Sequence, residues 1–372
     1  MSDFKSLGVT PHFVKSLAEI DIKRPTQIQE KTVPFLLNEI RDFVGQAPTG
    51  TGKTAAFGLP LLHQIDPDKA VVQGLILAPT RELAQQIKKQ LFKFTKYAPK
   101  KIFVEAVFGG AKIEPQIKAL NRTTHIVVAT PGRLLELVEK GVLDIQQVKT
   151  LVLDEADEML SLGFKQDLNR ILKYAAGQRK TWLFSATMPE DIKKIIRNYM
   201  ASDAMHIRLE EGGKLNPNIE HRFIQLPVKE KFRVLTIFLR RNRDAHGVIF
   251  CKTKAEVRNL FESLNEQGFQ VAALEGDMTQ KDRDKVMRAF KGKKLKVLIS
   301  TDIAARGIDV RDLAYVIHYR LPEQLEYYTH RSGRTARAGK SGVSLAFIVN
   351  EEMPLMRRIE NELDIRFKKL EI

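Results

Sequence analysis

The 372-residue chain holds a single cysteine, Cys251, and a single tryptophan, Trp182. One cysteine excludes an internal disulfide framework and any zinc site built from several thiolates. It sits in Gly247-Val-Ile-Phe-Cys251, an apolar run that predicts a buried thiol rather than a reactive one. No apolar stretch approaches the length that spans a bilayer, and Met1-Ser-Asp-Phe4 lacks a signal-peptide pattern. These absences predict a reducing, cytoplasmic setting without membrane association. No low-complexity tail follows the final charged stretch, so the chain reads either as a minimal core or as a piece of a longer protein.

Positive charge is abundant: 61 Lys and Arg stand against 45 Asp and Glu, a formal net charge of +16. The excess is +7 through Glu210 and +9 beyond it, so it is not confined to one tail. Such a balance favours a polyanionic partner over mere solubilisation. The length makes two domains the expectation.

Apolar strands alternate with amphipathic helices along most of the chain. Gly74-Leu-Ile-Leu-Ala78 leads into a helix from Arg81 to Lys96. His125-Ile-Val-Val-Ala129 leads into a helix from Arg133 to Lys140. Val148 to Leu153 precedes an acidic turn, and Thr181 to Phe184 precedes Ser185-Ala-Thr187. Strands apolar on both faces with helices between them predict parallel sheets with right-handed crossovers, an α/β fold. Glu210-Glu-Gly-Gly-Lys-Leu-Asn-Pro-Asn218 breaks the pattern, after which it restarts. The expected division is therefore a first domain at 1–209, a linker at 210–218 and a second domain at 219–372. Glu351–Lys369 is expected to form a closing helix.

The chemistry begins at Ala47-Pro-Thr-Gly-Thr-Gly-Lys-Thr54, between a short apolar run at Phe43-Val44 and an apparent helix. Strand, glycine loop, Lys-Thr and helix in that order form a nucleotide-phosphate loop. Gly50 and Gly52 let backbone N–H groups line an anion nest at a helix N-terminus. In that reading Lys53 reaches the β/γ-phosphates and the Thr54 hydroxyl ligands Mg²⁺. A glycine loop without chemistry is the plainer alternative for this stretch alone.

Asp154-Glu-Ala-Asp157 follows the apolar Leu151-Val-Leu153 directly. The carboxyl end of a strand is where an α/β sheet places ligand-binding groups. Asp154 suits Mg²⁺ held through water, and Glu155 suits orienting or deprotonating an attacking water. Capping of a helix start is the ordinary alternative. Farther on, His330-Arg-Ser-Gly-Arg-Thr-Ala-Arg337 places Arg334 and Arg337 three apart, the spacing of one helical turn. They read either as a cationic helix face or as arginine fingers that stabilise charge on a transferring phosphoryl group.

Together these motifs make the chain resemble the DEAD-box ATP-dependent RNA helicases of superfamily 2, bacterial type, from Phe4 to Gly339. The family's phosphate loop begins with alanine, as Ala47 does here. The resemblance implies two tandem RecA-like domains joined by a short linker, with ATP and Mg²⁺ bound between them and RNA as partner. It implies that Gln29 reads adenine, with Phe4 stacking on the base and Thr26 supporting the motif, and that Thr49 and Thr51 belong to the phosphate loop. Asp309 contacts the ribose in this reading. Asp157, Ser185, Thr187, His330 and Arg331 couple hydrolysis to unwinding. Matching RNA-contact positions are Pro79, Thr80, Arg81, Gly110, Thr130 and Arg133, then Thr253, Gln280, Arg283 and Thr301. Thr80 and Thr130 also fit plain helix caps. Ala336 stands where many members have glycine. The implied activity is local unwinding of short RNA duplexes or remodelling of RNA–protein complexes by a monomer. An ATP-dependent RNA clamp with little unwinding role is the alternative. Protein partners are not legible in these motifs.

Overall fold

A computed structural model describes residues 2–39, 41–48, 50–175, 177, 179–209, 215–305, 313–336 and 341–371. The chain forms two compact units, Met1–Glu210 and Glu211–Ile372. In the first, seven short strands run parallel: β1 (Phe43–Gln46), β2 (Gly74–Leu77), β3 (Val104–Val107), β4 (Ile126–Ala129), β5 (Thr150–Leu153), β6 (Lys180–Ser185) and β7 (Met205–Arg208). Their order across the sheet is β3-β4-β2-β5-β6-β1-β7.

The register explains why the strands read as unbroken apolar runs. Successive side chains of a strand point to opposite faces. Leu75 and Leu77 accordingly join one buried cluster while Ile76 joins the other. Leu151 and Leu153 likewise part from Val152, and Leu183 from Trp182 and Phe184. Helices cover both faces, so every residue of β2 and β5, and of β6 after Lys180, is buried.

The second unit holds β8 (Ile219–Gln225), β9 (Gly247–Phe250), β10 (Val271–Leu274), β11 (Val297–Ser300), β12 (Tyr315–His318), β13 (Gly342–Ile348) and β14 (Lys368–Lys369). Its order is β10-β11-β9-β12-β13-β8-β14, again all parallel. Counted from each unit's first strand, the two sheets share one order. β8 therefore corresponds to β1, β9 to β2, β10 to β3, β11 to β4, β12 to β5 and β13 to β6.

Two sequence expectations change, at the closing helix and at the helix carrying His330. The closing helix is shorter, Met353–Leu363, because Asp364 turns left-handed at φ +53° and ends it. The chain then adds β14 at the edge beside β8. The helix carrying His330 spans Leu325–Ser332 and stops at Gly333, so Arg334 lies past its end, while Arg337 lies outside the described residues. Ala336 adopts φ +56°, a conformation glycine enters without a Cβ penalty; alanine there costs about 1 kcal/mol. Of the expected linker, residues 215–218 are described, and Leu215 is buried against Tyr328 and Leu321 within the second unit.

A chain of buried polar groups crosses the second unit. His221 Nδ1 lies 2.7 Å from the Tyr328 hydroxyl, which meets Ser344 Oγ at 3.3 Å; Ser344 in turn meets His318 Nε2 at 3.0 Å. Burial pulls His221 down to about 4 and His318 well below its ordinary value, the latter helped by the nearby Arg331 charge. Both stay neutral when folded but take up protons near pH 6.5 when unfolded. Their contribution is thus present above about pH 6.5 and is lost as pH falls toward 4. Burial also lowers His246 in the second unit and His12, His63 and His125 in the first, His63 to about 4, so the units differ chiefly in Asp154 of the first, which is raised to about 7 and works in the opposite sense. Acidification from pH 7 to 5 should therefore melt the second unit first. Far-UV circular dichroism should fall in part while the emission of Trp182, buried in the first unit, holds steady. Coincident loss of both signals would refute this.

Candidate active site and nucleic-acid interface

In the first unit the carboxyl ends of β5, β6 and β1 are neighbours and carry the phosphate-loop chemistry. Six residues separate β1 from Lys53, the first residue of an eleven-residue helix, Lys53–His63. Gly50 and Gly52 stand at φ +83° and +92°, where a side chain is strained. A Cβ on Gly52 would also come within 2.4 Å of Gln29 Nε2. Lys53 is buried, and its ammonium donates to the Ala47 carbonyl at 2.9 Å, using one of three donors. The Thr51 hydroxyl donates to the Pro48 carbonyl at 2.9 Å. Thr54 follows Lys53 at the second position of the helix. Thr49 lies outside the described residues.

Gln29 and Thr26 hold this loop from behind. The Thr26 hydroxyl donates to the Thr51 carbonyl at 2.8 Å, and Gln29 Nε2 donates to the Gly52 carbonyl at 3.0 Å. Gln29 Oε1 accepts from the Thr26 N–H at 2.9 Å, closing a capping box on the helix Gln27–Asn38. The amide keeps one further N–H and one further lone pair, the pair an adenine edge requires. Phe4 is 2% exposed and belongs to the buried cluster of the first unit.

Asp154 leaves β5 buried, and its Oδ1 accepts from the Glu155 N–H at 3.0 Å. Burial, then the adjacent Glu155 charge, pushes its carboxyl up to about 7, while Lys53 pulls the other way. Two adjoining carboxylates short of positive charge fit a divalent cation. Among the described residues no group of three or more His, Cys, Asp or Glu side chains forms a metal cage. Asp154 is the carboxylate that could help to hold Mg²⁺, an ion bound through one or two carboxylates, water and substrate phosphates. Glu155 caps the helix Ala156–Ser161 in a left-handed conformation, φ +49° and ψ +51°.

One turn on, Asp157 Oδ2 accepts from the Thr187 N–H at 2.9 Å and from its hydroxyl at 2.8 Å. The Ser185 hydroxyl accepts from the Asp157 N–H at 3.3 Å and donates to the Thr187 carbonyl at 2.7 Å. The acidic turn after β5 and the Ser-Ala-Thr segment after β6 are thus one hydrogen-bonded unit.

The carboxyl ends of β3, β4 and β2 form the other half of the same rim and carry the RNA-contact candidates. Thr80, after Pro79, caps the helix Arg81–Phe94 and accepts from the Leu83 N–H at 3.3 Å. The Arg81 guanidinium lies over the Phe108 ring, 5.0 Å from its centroid. Thr130 precedes the helix Pro131–Glu139, and its hydroxyl accepts from the Gly109 N–H at 3.2 Å. Arg133 binds Glu136 and the Ala111 carbonyl, each at 2.9 Å, and so braces the loop containing Gly110.

The matching ends of the second sheet repeat this layout. Thr253, after β9, caps Lys254–Glu266 and accepts from the Glu256 N–H at 3.1 Å, as Thr80 does after β2. Thr301, after β11, precedes the helix Asp302–Ala305, in the place of Thr130 after β4. Arg283 donates to the Ala304 carbonyl at 2.7 Å. Gln280 opens the helix Gln280–Lys291, and its side chain lies outside the described set. Arg331 forms a bidentate pair with Asp302 at 2.6 and 2.7 Å and donates to the Arg320 carbonyl at 2.9 Å. His330 is on the same helix. Asp309 and Arg337 lie outside the described residues. The Arg320 carbonyl carries no sequence signal, since a backbone acceptor is present at every position.

The chain matches the DEAD/DEAH box helicase family over residues 26–195 and the helicase conserved C-terminal domain over residues 230–339. It is 43% identical over 371 residues to the ATP-dependent RNA helicase CshA of Listeria monocytogenes, covering all of this chain and 71% of that one. It is 41% identical over 360 residues to the DEAD-box ATP-dependent RNA helicase CshA of Bacillus cereus, covering 97% of this chain and 68% of that one. Among solved structures, S. cerevisiae Dbp5 bound to RNA and ADP BeF3 superposes with a TM-score of 0.91 at 30% identity, covering 100% and 96% of the two chains. Mss116p bound to ssRNA and AMP-PNP gives 0.89 at 29%, covering 100% and 80%. No helix among the described residues is long and apolar enough to cross a membrane.

Proposed function

We infer that this chain, which belongs to the DEAD-box ATP-dependent RNA helicases, uses ATP hydrolysis to unwind short RNA duplexes locally and to remodel RNA–protein complexes. The observation that carries this reading is the shared rim. The phosphate loop and the acidic turn occupy one half of the first sheet's carboxyl edge, and Thr80, Gly110 and Thr130 occupy the other.

In the proposed mechanism Gln29 reads adenine, and Lys53 with the backbone of Ala47, Thr49, Gly50, Thr51 and Gly52 holds the phosphates. Thr54 and Asp154 hold Mg²⁺, whose charge offsets that of the phosphates. Glu155 orients and deprotonates the attacking water, and Arg334 and Arg337 stabilise the charge that develops. Asp309 contacts the ribose. Asp157, Ser185, Thr187, His330 and Arg331 link nucleotide state to RNA grip. Thr80, Arg81, Thr130, Thr253, Arg283 and Thr301, with Pro79, Gly110, Arg133 and Gln280, contact the RNA backbone. Such contacts carry little sequence information, so binding is largely sequence-independent. If about five phosphates of a single strand are neutralised, log K should fall against log salt with a slope near about −3.5.

The test is ATP turnover with RNA or single-stranded DNA, paired with strand separation of a short RNA duplex. RNA-specific stimulation with separation supports the reading. Equal stimulation by DNA would refute the RNA assignment, and ATP-dependent retention on RNA without separation would favour the clamp.

A further inference from the structure

Because the two sheets share one strand order, the second unit has a position equivalent to the phosphate-loop lysine. Five residues, Leu226–Glu230, separate β8 from Lys231, the first residue of the eleven-residue helix Lys231–Arg241. Lys53 opens its own eleven-residue helix after β1. Both lysines are buried, at 6% exposure for Lys53 and 2% for Lys231.

Their surroundings differ in the feature that matters. The loop before Lys231 is Leu-Pro-Val-Lys-Glu, without glycine, and Val228–Glu230 winds into a 3₁₀ turn. No cradle of N–H groups like that at Gly50 and Gly52 exists there. The Lys231 ammonium donates to the Tyr319 carbonyl at 2.7 Å and the Phe347 carbonyl at 2.9 Å, and Glu352 Oε2 lies 3.6 Å away. Three acceptors face three donors, so the group is built into the wall. Tyr319 follows β12, and the next carbonyl, that of Arg320, receives Arg331. Arg331 then clasps Asp302, which adjoins Thr301.

We propose that Lys231 is a positioning residue: the lysine at the phosphate-loop place of the second unit fixes the Tyr319-Arg320 segment, and through it Arg331 and the Thr301-Asp302 turn. Chain and contacts run from β8 to β12 to β11 along one rim, so releasing Lys231 loosens the seat of Arg331. This deepens the RNA-stimulated hydrolysis proposed above and rests on it.

The experiment compares Lys231→Met, Glu352→Gln and the double variant with the unmodified protein. Thermal midpoints and RNA-stimulated ATP turnover are both measured, well below every midpoint. Lys231→Met should lower RNA-stimulated kcat about tenfold with the KM for ATP within about twofold, since Lys53 is untouched. Glu352→Gln keeps both carbonyl bonds, so it should lower the midpoint and leave kcat in place. The double variant removes the carboxylate charge that has lost its ammonium and keeps an acceptor for the Val349 N–H, so its midpoint should recover toward that of Glu352→Gln while kcat stays low. Recovery of kcat together with the midpoint, or a kcat loss in Glu352→Gln equal to that of Lys231→Met, would overturn the proposal, as would normal turnover in Lys231→Met. Absence of RNA stimulation in the unmodified protein would instead sink the underlying functional reading.

Discussion

Glu155→Gln should cut RNA-stimulated ATP hydrolysis by about 10²–10⁴-fold while ATP and RNA are still bound. Glutamine is nearly isosteric and the Glu155 side chain makes no capping bond, so the start of the helix Ala156–Ser161 and the Asp157–Thr187 bonds should survive. Only the ability to accept the water's proton is lost. The substitution has a second consequence at Asp154. The Glu155 charge is one cause of that carboxyl's rise to about 7. Removing it brings Asp154 down and leaves it more fully ionised at neutral pH, so Mg²⁺-dependent nucleotide binding should tighten or hold. Equilibrium binding of a fluorescent ATP analogue, measured beside steady-state turnover, checks both halves. Near-normal turnover would remove Glu155 from its role.

Arg334→Ala should lower RNA-stimulated kcat by about 10³-fold or more and leave the KM for ATP close to that of the unmodified protein. An arginine that meets charge only as it develops lowers the barrier without tightening the ground state. Arg334→Lys should rescue little, because a point-charge ammonium lacks the planar fork of a guanidinium. A raised KM with intact kcat would make Arg334 a phosphate binder instead. The position is well chosen for independent testing: Arg334 lies beyond the helix cap at Gly333, and its N–H donates to the Arg331 carbonyl at 3.1 Å. A side-chain change there leaves that backbone bond available.

The sheets were legible in the sequence where burial was complete. Gly74–Leu77, Ile126–Ala129, Val297–Ser300 and Tyr315–His318 are buried on both faces and announce themselves by their largely apolar composition. The edge strands β7 and β14 were not. Met205–Arg208 and Lys368–Lys369 are mostly exposed and polar, so they carry no apolar run, and only pairing with β1 and β8 makes them strands. The helix Lys165–Tyr174 went unread although Leu168, Ile171 and Leu172 have the right spacing, because charged residues outnumber them. At the site, the phosphate loop and acidic turn could be placed from motif and strand together. The end of the Arg331 helix at Gly333 could not, since the spacing of Arg334 and Arg337 alone suited a continuing helix. Lys231 was invisible for a different reason: its partners are two main-chain carbonyls and a glutamate 121 positions downstream.

The backbone at Glu155 sets fitness for folding against fitness for turnover. Glycine or asparagine suits a positive φ better than glutamate does, so a library screened only for heat resistance should drift away from glutamate at this codon. Clones recovered that way would be sturdier and inert, and heat resistance would be a misleading guide when evolving this protein for use at high temperature.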